Sequence, residues 1–195
     1  MAKPSWLKLN PSTGSGNGTI ANSADAHTGR TARTGTVTVT GVGVSTQSPK
    51  SEFASFDNGS EMSAPKTAGT VTVEGKTNSS KLTFAWSGSV VDVTLPAKYN
   101  ANGTQTNNAA TISGDPGATA EFPFSIELEF PKNDTIEEVV RTLKVTANGG
   151  QAAQIAIKQA AGDATLSVSP AEITIPQSGS AVSVNVTSNT SWTAA

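Results

Sequence analysis

The sequence predicts an all-β chain of two β-sandwich domains, one whole and one split between the two ends. Three observations carry this. Short runs of alternating apolar and polar residues recur along the chain, set apart by turns rich in Gly, Pro and Asn. Charged residues are few (14%), while Gly, Ser, Thr, Ala, Asn and Val dominate, the composition of short strands joined by tight turns. The stretch from Ala164 to Ala195 also repeats an earlier one, and both copies read as two or three alternating strands, here over Leu166–Val168, Glu172–Ile175 and from Val182, separated by a turn marked by Pro and Gly. Moved back by 111 positions without a gap, Glu172-Ile173, Pro176, Val182, Val184 and Asn189 fall on Glu61-Met62, Pro65, Val71, Val73 and Asn78. With 195 residues, two domains of ordinary size fit the chain. The expected units are 1–48, the second half of a split domain; 49–162, a complete sandwich; and 163–195, the first half of a split domain.

Taken in order, Trp6-Leu7-Lys8-Leu9 reads as a short strand closed by Pro11. Gly14 to Gly18 is a turn-rich loop whose Asn17-Gly18 suits a hairpin. Its spacing fits no phosphate-binding glycine loop, and no helix follows it. Thr36 to Thr40 alternates valine and threonine cleanly, a strand. The preceding Arg33-Thr34, shifted by 108 positions, falls on Arg141-Thr142, so the repeat reaches this end too. After Thr40 the copy reaches Gln47 about four residues early, so its last strand is expected to be shortened or missing.

In the middle unit, strands are expected near Phe53–Phe56, Gly69–Glu74, Lys81–Trp86, Val90–Leu95, Glu121–Phe130, Thr142–Ala147 and Gln154–Gln159. Phe122, Phe124, Ile126, Leu128 and Phe130 share one face of the fifth, with Ser125, Glu127 and Glu129 on the other. Burying each large apolar side chain contributes roughly 1.5–3 kcal/mol, so that face anchors the core. Ala97 to Asn108 reads as a long polar loop, and Asp134 to Val140 as a single turn crossing between strands. Seven strands, closely spaced turns and almost no helix predict immunoglobulin-like β-sandwiches.

Several chemistries lack their residues. There is no cysteine, hence no thiolate metal site, and His27 is the sole histidine, in a polar loop without a nucleophile elbow. Asp115 with the Asn100–Asn108 loop is the one place to seek calcium, but loop asparagines are more often turn formers. Glu127 and Glu129 are read as solvating their strand, not as a glycosidase pair. No catalytic residue, metal or cofactor is therefore assigned. With a net charge of −2 and no basic cluster, nucleic acid is not an expected partner, nor is a membrane. The opening Met1-Ala-Lys-Pro-Ser-Trp6 has no apolar leader core; with Met1 as the start, export by the usual route is not expected. For ligand stacking, Tyr99 is the best exposed candidate, followed by Trp192 and Trp6, while Trp86 reads as a core or sheet-end residue.

Val186-Thr-Ser-Asn-Thr-Ser-Trp192 and Leu166-Ser-Val-Ser-Pro170 at one end resemble the first half of a BACON domain. Pro4-Ser-Trp6-Leu7, the run Asn10 to Thr19 and Arg33-Thr-Gly-Thr-Val-Thr-Val39 resemble its second half. This is the Bacteroidetes-associated, often N-terminal module of immunoglobulin-like fold, named for a proposed carbohydrate-binding role. The resemblance covers about 75 end residues well and the middle more loosely; no sugar-binding residues carry over with it. Such modules occur in gut bacterial surface proteins and in phages of those bacteria. The resemblance implies a non-enzymatic structural protein at a virion surface, capsid-decorating or fibre-like, binding through sheet edges and loops. Its partners would be other virion or surface proteins, neighbouring copies joined by strand complementation, and glycans. The alternative is a carbohydrate-binding module of a longer bacterial surface or secreted protein.

Overall fold

A computed structural model describes residues 3–37, 44–89 and 92–194. Its elements are strands and one short 3-10 turn, Pro116–Ala118; no α-helix occurs among the described residues. The N-terminal segment holds two antiparallel ladders. In the first, β1 (Leu7–Asn10) pairs with β2 (Ala21–Ala24); in the second, β3 (Arg33–Thr36) pairs with β4 (Val44–Gln47). The last strand of this segment is therefore present, and its described part is Val44–Gln47. The valine–threonine strand expected over Thr36–Thr40 is only partly visible. Of its described part, Thr36 ends β3 and Val37 follows it, buried, while residues 38–40 lie outside the described residues.

The middle unit is a sandwich of nine strands. They are β5 (Ala54–Phe56), β6 (Glu61–Ala64), β7 (Gly69–Thr77), β8 (Leu82–Trp86), β9 (Lys98–Ala101), β10 (Thr104–Asn107), β11 (Phe122–Phe130), β12 (Val139–Ala147) and β13 (Ala152–Gln159). One sheet has the order β10-β9-β11-β7-β5 and the other β6-β13-β12-β8. All pairings are antiparallel except β6 with β13, which is parallel, with Ala64 opposite Gln159. Alternation builds the core directly. Along β11 the five apolar residues point inward and Glu127 and Glu129 outward. Opposite it, Val71 and Val73 of β7 face the same way, and the second sheet adds Phe84, Leu143, Val145, Ile155 and Ile157. Phe124 lies edge-on to both Phe56 and Phe84, with ring centres 6.0 and 5.7 Å apart. Gly75 of β7 has no side chain because the Phe124 ring and the Ser55 carbonyl fill that space.

Two departures from the sequence reading concern this unit. The stretch read as a polar loop over Ala97–Asn108 is the β9–β10 hairpin, turning at Asn102-Gly103 with φ of 50° and 78°. Both values are positive, as a two-residue hairpin turn requires. The strand expected over Val90–Leu95 is not formed by Asp92–Leu95, while Val90 and Val91 lie outside the described residues. Val93 is nonetheless buried, and its carbonyl accepts a hydrogen bond from the Trp86 indole at 2.9 Å. That bond fixes Trp86 as a core-edge residue. Asp134–Val140 forms no helix, as read; Asn133 spans the turn, donating to the carbonyls of Glu137 and Ala160.

The C-terminal segment keeps one ladder, β14 (Leu166–Ser169) with β15 (Asn185–Ser188). It reproduces the β5–β7 ladder: Thr77 lies opposite Ala54 as Ser188 lies opposite Leu166, and Lys76 opposite Ser55 as Thr187 opposite Ser167. The stretches Glu172–Ile175 and Val182–Val184, read as alternating strands, are not strands here. Their counterparts in β6 and β7 pair with β13 and β11, and no such partner lies beside them among the described residues.

Candidate binding surface

Asparagines hold the units together. Asn78, fully buried, donates to the carbonyls of Thr28 (3.0 Å), Ser51 (3.1 Å) and Lys50 (3.4 Å) and accepts from the Phe53 amide. It thereby ties the N-terminal segment and the linker to the middle sandwich. Asn189, 111 positions later, does the same at the other end. Its amide donates to Asp134 and Asp163, each at 2.9 Å, and its carbonyl accepts from the Thr165 amide. Around Asn78 the fit is close enough to require glycine, since a Cβ on Gly117 would overlap the Asn78 carbonyl. Gly162 plays the same part beside the Asn133 carbonyl. Arg30 closes the first junction. Its guanidinium donates to the Asn78 carbonyl at 2.7 Å and pairs with Asp115 and Glu52.

An arginine–glutamine–aromatic set recurs as well. Arg141, 5% exposed, lies 5.1 Å from the Phe130 ring centre and donates to Gln159 at 3.0 Å and to Asp92. Arg33 lies 4.7 Å from the Trp6 ring centre and donates to Gln47 at 2.7 Å. The hydrogen bond from Arg141 holds the Asp92 carboxyl below the usual carboxylate range, against the smaller opposing effect of partial burial.

Of the residues expected to stack on ligands, Tyr99 is corrected. It is 2% exposed, with its ring 5.0 Å from that of Phe84 inside the core. Strand alternation on β9 turns Tyr99 and Ala101 inward and leaves Lys98 and Asn100 on the rim. Burial pushes the Tyr99 phenol above its ordinary value, the nearby Leu82 backbone opposing it more weakly, and the hydroxyl makes no well-formed hydrogen bond among the described residues. Trp6 is half-buried beneath Arg33, and Trp192 is 51% exposed. The three candidates belong to three different units and form no common site.

The sequence reading missed a groove of about 510 Å³ over the outer face of the β9–β11 edge. Lys98, Asn100, Gln105, Ser125, Glu127 and Glu129 line it, with Pro96 at its margin. The signal lay in the outward positions of two strands, one of which was read as loop. Tyr99 also borders the groove, but its ring is turned away into the core against Phe84. The calcium reading finds no support: Asp115 is taken by Arg30, Asn100 accepts from the Gly103 amide, and Asn108 bridges the backbone of Phe84. Among the described residues no three His, Asp or Glu side chains gather where they could hold a metal. His27 donates from Nε2 to the Thr31 carbonyl at 2.6 Å, a turn contact. No helix of the described residues is long and apolar enough to cross a membrane. No family model matches the chain, and no curated protein matches it.

Proposed function

We propose that the protein is a non-enzymatic structural component built from immunoglobulin-like sandwich modules, working by contact at a virion surface as a decoration or fibre element. The observation that carries the structural part is the repeated junction, in which Asn78 and Asn189 each tie one unit to the next through backbone groups. Units tied through backbone groups in this way have less freedom at the joint than units on an open linker, which suits a protein that projects from or covers a surface. The virion placement is supported by the BACON-like residues at both ends. Mass spectrometry of purified particles, with antibody labelling of intact ones, tests it. The protein should be present and accessible on the particles; its absence there, with label on the host cell instead, overturns the placement.

The groove beside β9 and the exposed indole of Trp192 favour a second reading, a carbohydrate-binding module of a bacterial surface protein. Amides and carboxylates such as Gln105, Asn100 and Glu127 are suited to sugar hydroxyls, and an indole stacks on a sugar ring. Titration with mucin glycans tests this reading. Saturable binding that weakens in Gln105→Ala or Trp192→Ala supports it, and no heat or shift at millimolar glycan removes it.

A further inference from the structure

Seven of the ten exposed large apolar side chains among the described residues fall between Leu166 and Trp192. Their positions are not random. Val182 and Val184, 41% and 38% exposed, stand 111 residues after Val71 and Val73, which are 6% and 1% exposed in the middle sandwich. Ile175, 64% exposed, stands 111 after the buried Ala64, and Ile173 the same distance after Met62, which packs on the core. Val168, 52% exposed, matches the buried Phe56 through the shared ladder register. The C-terminal segment therefore carries one half of a sandwich core, turned to solvent.

The N-terminal segment carries the complementary half. In the middle unit β6 adds in parallel to β13, and Gln159 donates to the Pro65 carbonyl at 3.2 Å and the Pro131 carbonyl at 2.7 Å. In the N-terminal segment β4 holds the place of β13, with Gln47 in the place of Gln159. Gln47 donates to the Asp25 carbonyl at 3.0 Å and is half-exposed, whereas Gln159 is fully buried. Among the described residues β4 has only β3 beside it. What it lacks is a β6, and Glu172–Ile175 is a β6 without a partner, followed by Pro176 in the place of Pro65.

One chain cannot bring its own two halves together while its junctions hold. The N-terminal segment is fixed at Gly117 and Ala118, just before β11, and the C-terminal segment at Asp134, just after it. The nine residues of β11 put about 30 Å between those points.

We propose that copies of this chain associate head to tail, the 163–194 segment of one completing the 3–47 segment of the next. Glu172–Ile175 adds in parallel to Val44–Gln47, with Glu172 opposite Val44, Ile173 opposite Ser45, Thr174 opposite Thr46 and Ile175 opposite Gln47. Gln47 then gains the Pro176 carbonyl of the neighbour as its second acceptor. This contact is heterologous, joining two different surfaces, so it builds a closed ring where the rotation between copies closes and an open chain where it does not. It depends neither on the virion placement nor on glycan binding, and its test leaves both untouched.

The chain has no cysteine, which makes cross-linking clean. Thr46 and Thr174 are both exposed, and opposite residues on neighbouring strands lie within disulfide reach. A mixture of Thr46→Cys chains with Thr174→Cys chains should oxidise to a linked heterodimer. The doubly substituted chain should give a ladder of multimers. No cross-link in the mixture, or a double variant that closes within one chain as a monomer, overturns the proposal. Light scattering provides the second readout. The mass of the wild-type chain should grow with concentration, while Ile175→Asp, at an exposed position that unfolds nothing, should stay monomeric with unchanged circular dichroism. Monomeric wild type at every concentration, or association that Ile175→Asp leaves intact, overturns it equally.

Discussion

Tyr99 turns its ring into the core, against Phe84, from a strand whose Lys98 and Asn100 side chains lie at the rim. The cost of that placement is a buried hydroxyl without a partner among the described residues. Tyr99→Phe removes the unsatisfied group and keeps the ring against Phe84, so it should leave stability unchanged or raise it by about 1 kcal/mol. A fall of the chemical-denaturation midpoint in that variant would show that the hydroxyl has a partner. Asp92 gives the pH dependence. Its carboxyl is held below the usual range by Arg141, so its stabilising contribution is fully present above the unfolded value of about 3.9. It is lost as the pH falls through the lower folded value. Solvent screens the half-exposed Asp92, but Arg141 is 5% exposed and, among the described residues, would keep Gln159 and the Phe130 ring as its remaining contacts. Asp92→Asn should therefore cost about 1–2 kcal/mol at neutral pH and flatten the part of the acid limb below pH 4. Parallel acid limbs in the two proteins would remove Asp92 from the account.

Among the elements, β11 was the most legible and β9–β10 the least, for one physical reason. β11 pairs with two strands and buries five large apolar residues, so its alternation survives any reading. The β9–β10 hairpin forms a sheet edge and turns only Tyr99, Ala101 and Thr106 inward; it was betrayed only by Asn102-Gly103 at its tip. The groove went unseen with it, because half of its lining sits on that hairpin. The C-terminal strands were over-read for the opposite reason. Val182 and Val184 alternate correctly, but a strand needs a neighbour for its backbone groups, and alternation does not say whether one is present. The junction asparagines were visible only as a coincidence of the repeat, since their work is with backbone carbonyls of no particular sequence. The two faces of β11 make a paired prediction. Ile126→Asp places a charge at a 1% exposed position against Val73 and should abolish cooperative unfolding. Glu127→Ala, on the solvent face of the same strand, should change stability by no more than about 0.5 kcal/mol. A stable Ile126→Asp protein would mean that the core does not lie between these sheets.

At the scale of the whole molecule, stability is unevenly distributed. The middle sandwich has a continuous core between two sheets, whereas the β1–β2, β3–β4 and β14–β15 ladders each have two strands. Two strands alone are marginal in water, and all four residues of β14 are exposed. Hydrogen exchange on dilute protein should therefore show slow amides in β7, β8, β11, β12 and β13, with the 163–194 segment exchanging fast. The junction amides are the exception, because Asn189 holds Thr165 and the Asp134 and Asp163 carbonyls against the sandwich. Raising the concentration should then protect the end segments selectively, Val44–Gln47 together with Glu172–Ile175, while the middle strands keep their rates. Protection rising in only one of those two stretches would point to a partner other than a second copy. Protection rising in both, and lost from both in Ile175→Asp, would mean that the two half-cores are one interface, and that the molecule attains its full set of sandwiches only in the company of itself.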